Sequence, residues 1–78
     1  TIGIVEDHEL YLEGLRLLLQ QQGHHICFAA QSGKALLEVL PVSVPQILLC
    51  DVNLPDADPE DLLTTIRQLY PALPVVYL

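Results

Sequence analysis

The stretch from Ile47 to Asp56 limits the fold more than any other part of the chain. Four consecutive apolar residues, Ile47-Leu48-Leu49-Cys50, follow Pro45 and fit a strand covered on both faces, as in parallel sheets. The run stops at Asp51, and an acidic, turn-rich segment follows. Ligands of open α/β sheets bind in the crevice beyond the carboxyl ends of the strands. Asp51 would stand there. Ile2-Gly3-Ile4-Val5 is a second strand-like run and ends the same way, in Glu6-Asp7. Three acids from two buried strands can therefore converge on one edge.

The remaining elements alternate around these two. Residues 1–5 form the first strand, rich in β-branched side chains. A helix starts at Asp7 or His8 and runs to about Gln22, with Gly23 suited to a left-handed cap. Tyr11, Leu15, Leu18 and Gln22 share one helical stripe, and Gly14 is expected to let the helix approach the sheet closely. Leu10, Leu12, Leu17 and Leu19 lie partly off that stripe; broad coverage by the sheet is favoured over contact with a partner.

His24–Ala30 forms the second strand, at the sheet edge, since His24, His25 and Gln31 dilute it. Adjacent histidines with no third ligand nearby indicate a solvated strand start rather than a metal site. Ser32 caps a short helix over residues 33–40, ended by Pro41. Residues 46–50 form the third strand. Asp58, with Pro59 at the first helical position, opens a third helix that runs to about Tyr70 and buries Leu62, Leu63, Ile66 and Leu69. Asp56, Asp58, Glu60 and Asp61 are all assigned to its start. Residues 74–78 form the last strand. The pattern is βαβαβαβ, and right-handed crossovers make it a parallel sheet with helices on both faces.

Seventy-eight residues make one small domain. Ten acids against three bases give a net charge of −7, which argues strongly against nucleic-acid binding by this segment and suits a cation or a basic partner. Cys27 and Cys50 are expected in buried strands as reduced core residues. No leader and no run of membrane length is present, so a soluble cytoplasmic protein is expected. The chain opens on Thr1 and closes on an apolar strand, which suggests a fragment whose open strand edge invites another chain.

Glu6, Asp7 and Asp51 brought together would repel, and a divalent cation relieves that repulsion. Mg²⁺ takes one or two carboxylates and keeps its other positions for water and phosphate, and a neighbouring carboxylate can attack a phosphoryl group. Acids are also ordinary at strand ends and helix starts, and Asp7 capping the first helix is the plain alternative.

Ile4-Val5-Glu6-Asp7-His8-Glu9-Leu10 with Glu13-Gly14-Leu15, then Leu49-Cys50-Asp51-Val52-Asn53-Leu54-Pro55, resembles the receiver domain of bacterial two-component response regulators. The Asp-His start with Glu-Gly-Leu is most similar to receivers that precede a LuxR-type helix-turn-helix output domain. The resemblance implies a flavodoxin-like α/β fold, truncated here, with sheet order 2-1-3-4; receivers are a standard example of the full order 2-1-3-4-5. It spans residues 1–78 but only the earlier part of that fold, leaving out a final strand, two helices and the output domain.

By the same resemblance, Asp51 is the phosphoacceptor. Glu6 and Asp7 are metal-site acids, and Asn53 completes the Mg²⁺ site through its backbone carbonyl. The expected partners are a sensor histidine kinase, a second copy through the open edge, and DNA only through the missing output domain; a membrane is not among them. The resemblance implies a phosphoacceptor rather than a turnover enzyme. Glu6 stands where the family usually has aspartate, and Asp58-Pro59 where it usually has Asp-Gly. The family's switch hydroxyl and its phosphate-steadying lysine would both come after Leu78, so this segment alone should accept phosphate poorly. Two rivals differ in class. One is a receiver-like interaction module that takes no phosphate. The other is a Mg²⁺-dependent phosphatase, which needs an acid where Asn53 stands.

Overall fold

Buried strands form where apolar residues run without a break, and both such runs lie at the centre of the sheet. The computed structural model describes residues 1–78. Its elements are β1 (Ile2–Val5), α1 (Glu9–Gln21), β2 (Ile26–Ala30), α2 (Gly33–Val39), β3 (Ile47–Cys50), α3 (Pro59–Leu69) and β4 (Val75–Tyr77). The strands pair in parallel in the order β2-β1-β3-β4, as the flavodoxin-like arrangement requires.

Side chains alternate across the two central strands. Ile2 and Ile4 of β1, with Ile47 and Leu49 of β3, face α1 and pack with Leu12. Val5, Leu48 and Cys50 face the opposite side, where Leu36 and Leu40 from the α2 segment meet Leu62 and Ile66 of α3. The core is therefore two unequal layers. Tyr77 ties β4 to the start of α3, its hydroxyl donating to the Pro59 carbonyl at 2.8 Å.

Three helix ends follow local chemistry. Gly23 lies at φ +91° after α1, where a side chain is strained. The Ser32 hydroxyl accepts from Ala35 N at 3.0 Å, and Asp58 accepts from Glu60 N and Asp61 N at 2.9 and 3.1 Å.

The face that α1 presents to the sheet differs from expectation. Leu12 is buried, and the half-buried Leu15 and Leu19 pack beside it, whereas Tyr11 and Leu18 are more than half exposed. The two stripes share Leu15, and the all-leucine one removes more apolar surface from water without burying a phenol or an amide. Leu10 and Leu17 stay exposed, so the sheet does not cover the helix broadly. Gly14 makes no close approach, since an added Cβ would meet nothing within 4 Å. Leu69, the last residue of α3, is 62 % exposed rather than buried. Cys27 is half-buried on the edge strand rather than fully buried, Cys50 is buried, and both are free thiols. His24 and His25 are exposed and precede β2.

Candidate acidic site at the carboxyl edge of the sheet

Register brings the acids together. Val5 pairs with Cys50, so the residues that follow, Glu6 and Asp51, leave adjacent strands at the same level. Asp51 N donates to the Val5 carbonyl at 2.9 Å and Glu6 N to the Ala30 carbonyl at 3.0 Å, which fixes both exits. Glu6, Asp7, His8 and Asp51 each place one potential ligand atom within 4.8 Å of all the others. The three expected acids therefore do meet. Glu6 and Asp51 border an open cleft of about 510 Å³, whose apolar wall includes Leu10, Tyr11 and Leu78.

Each acid has its own environment. Glu6 is only 5 % exposed, and its Oε1 accepts from His8 N at 3.2 Å and lies 2.8 Å from His8 Nδ1. Asp7 does not cap α1; His8 occupies that position without a side-chain cap. Asp7 Oδ1 lies 3.3 Å from His8 Nδ1, yet it is buried with no hydrogen-bond partner. Asp51 Oδ1 accepts from Asn53 N at 3.0 Å. That amide bond is the main cause holding the Asp51 carboxyl below its usual range; contacts with Asp7 and Glu6 and the charge of His8 act in the same direction, against partial burial. His8 is raised above its ordinary value by its bond to Glu6 and by the charges of Asp7 and Glu6.

A buried carboxylate oxygen without a donor, beside two further acids, fits a hard cation that takes oxygen ligands. The acids could hold such an ion. Asn53 enters the site by its backbone, through the N–H directed at Asp51.

Two residues have roles that sequence reasoning missed. His8 lies in the cluster, and its position next to Glu6-Asp7 was the available signal. Asp56 does not serve α3. Its Oδ1 and Oδ2 accept from Gly33 N and Lys34 N, at 2.9 and 3.0 Å, at the start of α2. Nothing in local spacing marks that contact, because it spans 23 residues.

A parallel 2-1-3-4 sheet with acids gathered beyond β1 and β3 is the flavodoxin-like arrangement, with the acids in the crevice at the carboxyl ends of the strands where ligands of such sheets bind. The profile of the family described as response regulator receiver domain matches residues 2–78, and the chain belongs to that family. Among curated proteins it is similar to the transcriptional regulatory protein CreB of Escherichia coli, at 33 % identity over 100 % of this chain and 34 % of CreB. It is 40 % identical to the sensor histidine kinase RcsC of Salmonella typhimurium, over 96 % of this chain and 8 % of RcsC. Among solved structures, RcsB from Salmonella enterica serovar Typhimurium, bound to promoter rprA, superposes with a TM-score of 0.90 at 25 % identity. That match covers 97 % of this chain and 40 % of the RcsB chain. The isolated receiver domain of RcsB gives 0.89 at the same identity, covering 97 % of this chain and 58 % of that one. The chain thus spans about a third of the length of CreB. No helix is long and apolar enough to cross a membrane.

Proposed function

We propose that this domain accepts a phosphoryl group on Asp51 with the help of Mg²⁺, and that a sensor histidine kinase donates it. The observation that carries the reading is the convergence of Glu6, Asp7 and Asp51 at the sheet edge, with a buried, unpartnered Asp7 oxygen among them. Glu6, Asp7 and Asp51 would hold the ion, together with the Asn53 backbone carbonyl. When bound, Mg²⁺ supplies positive charge against the phosphoryl oxygens.

The chain's own groups do the rest. Asn53 N–H occupies Asp51 Oδ1, which orients the carboxylate and leaves Oδ2 free of that bond. Oδ2 attacks phosphorus, a new P–O bond forms, and the bond from phosphorus to the donor breaks, its electron pair leaving with the donor.

The resemblance of the fold to RcsB supports a parent with a LuxR-type, DNA-binding output domain, in which residues 1–78 are the earlier part of the receiver. The domain would act as a phosphoacceptor and not as a turnover enzyme. Intact mass spectrometry after incubation with acetyl phosphate, with and without Mg²⁺, tests the reading. It is run on this chain and on one extended to a full receiver. One phosphoryl group gained with Mg²⁺ and lost in Asp51→Ala is the expected result. No gain at either length overturns it.

A further inference from the structure

The loop between β3 and α3 is held more firmly than its length of exposed backbone suggests. Leu54 is buried in the larger core layer, and Asp58 is fixed as the cap of α3. Between them, Asp56 reaches across to α2 and accepts from two successive backbone N–H groups, at 2.9 and 3.0 Å. These N–H groups belong to the first turn of a helix and have no partner within it. Ser32 satisfies the next one, Ala35 N. Asp56 thus completes the start of α2 from a different segment of the chain.

The close approach is built from both sides. A Cβ on Gly33 would lie 2.9 Å from the Ala57 Cβ and 3.4 Å from Asp56 Oδ1. Glycine is what lets the loop seat against α2. The same loop carries Asn53, whose N–H directs the Asp51 carboxylate.

We infer that Asp56 is a positioning residue: by clamping the β3–α3 loop to the start of α2, it fixes the backbone at Asn53 and, through it, the Asp51 carboxylate. Its consequence for metal binding rests on the phosphoacceptor reading; its consequence for loop order does not. Asp56 lies outside the acidic cluster, so it acts only through Asn53. It also links the site to the start of α2.

The test uses the ¹⁵N-labelled protein, with amide hydrogen exchange in the metal-free state and Mg²⁺ titration followed by chemical shift. Asp56→Ala should lose protection at the Asn53 amide and weaken Mg²⁺ binding by about tenfold, the lower end for partners behind the metal ligands. Asp56→Asn, which keeps one acceptor oxygen, should fall between wild type and alanine. Gly33→Ala, which pushes the loop away from the other side, should act as Asp56→Ala does. Ser32→Ala removes the local cap of α2 without touching the loop, and should leave both readouts at wild-type values. Unchanged exchange at Asn53 in Asp56→Ala overturns the inference, as does a Ser32→Ala variant that reproduces the losses. A wild type that binds no Mg²⁺ refutes the metal reading instead, and the exchange data then decide the clamp alone.

Discussion

Gly3 offers a substitution whose sign separates two views of the sheet. It lies mid-strand in β1, paired with Phe28 on β2 and Leu48 on β3. Glycine inside a strand ordinarily costs about 0.5–1 kcal/mol relative to alanine. Gly3→Ala would therefore stabilise the protein if the space above Gly3 were open. It is not open: an added Cβ would lie 2.4 Å from Phe28 Cζ and 2.7 Å from Cε2. The ring must swing off the sheet, and overpacking of this kind costs roughly 1–3 kcal/mol. For a domain of this size, about 1 kcal/mol lowers Tm by about 4–8 °C. Set against the gain from replacing glycine, the net loss should reach up to about 2.5 kcal/mol, and thermal and urea unfolding should show Gly3→Ala to be destabilised. In a Phe28→Ala background the obstacle is gone, and the same substitution should be neutral or stabilising. A stabilising Gly3→Ala in the wild type, or an equal effect in both backgrounds, would refute the packing argument.

Other predictions concern the core, the thiols and the sheet edge. Ile66→Ala should cost about 2–5 kcal/mol in urea unfolding, whereas Leu69→Ala, three residues on but 62 % exposed, should be nearly silent; equal losses would contradict the observed face of α3. Burial pushes the Cys50 thiol up to about 11 from 9.0, and the Asp51 charge adds to the effect. The unfolded thiol then ionises first, so this contribution to stability is full below pH 9 and is lost as pH rises towards 11. Cys50 should resist iodoacetamide at pH 8 until the protein unfolds; rapid native labelling at Cys50 would count against this. β4 pairs only with β3, so we expect reversible self-association through its free edge in sedimentation velocity; a monomer at all concentrations would argue otherwise.

The two buried strands were legible because β1 and β3 are apolar runs that end in acids, whereas the order 2-1-3-4 rested on the family resemblance. The acidic cluster followed from that, since parallel pairing puts the strand ends side by side. The docking face of α1 was less legible. A leucine-rich helix carries two overlapping stripes that share Leu15, and choosing between them requires knowing how the sheet lies beneath it. Asp56 was hidden for another reason. In sequence it sits among the acids that open α3, and only the tertiary approach of the loop to Gly33 assigns it to α2. The sequence places His8 at the start of the first helix, and only the structure shows its ring turned to Glu6, 2.8 Å away.

The most direct test asks where phosphate bonds. Borohydride reduces an aspartyl phosphate to homoserine, and peptide mapping then locates it. After acetyl phosphate and Mg²⁺, we predict homoserine at position 51, absent without Mg²⁺ and absent in Asp51→Asn. Homoserine at Asp7 or another aspartate in place of position 51, or none at all in this chain and in the full receiver, would contradict the assignment of Asp51 as the phosphoacceptor.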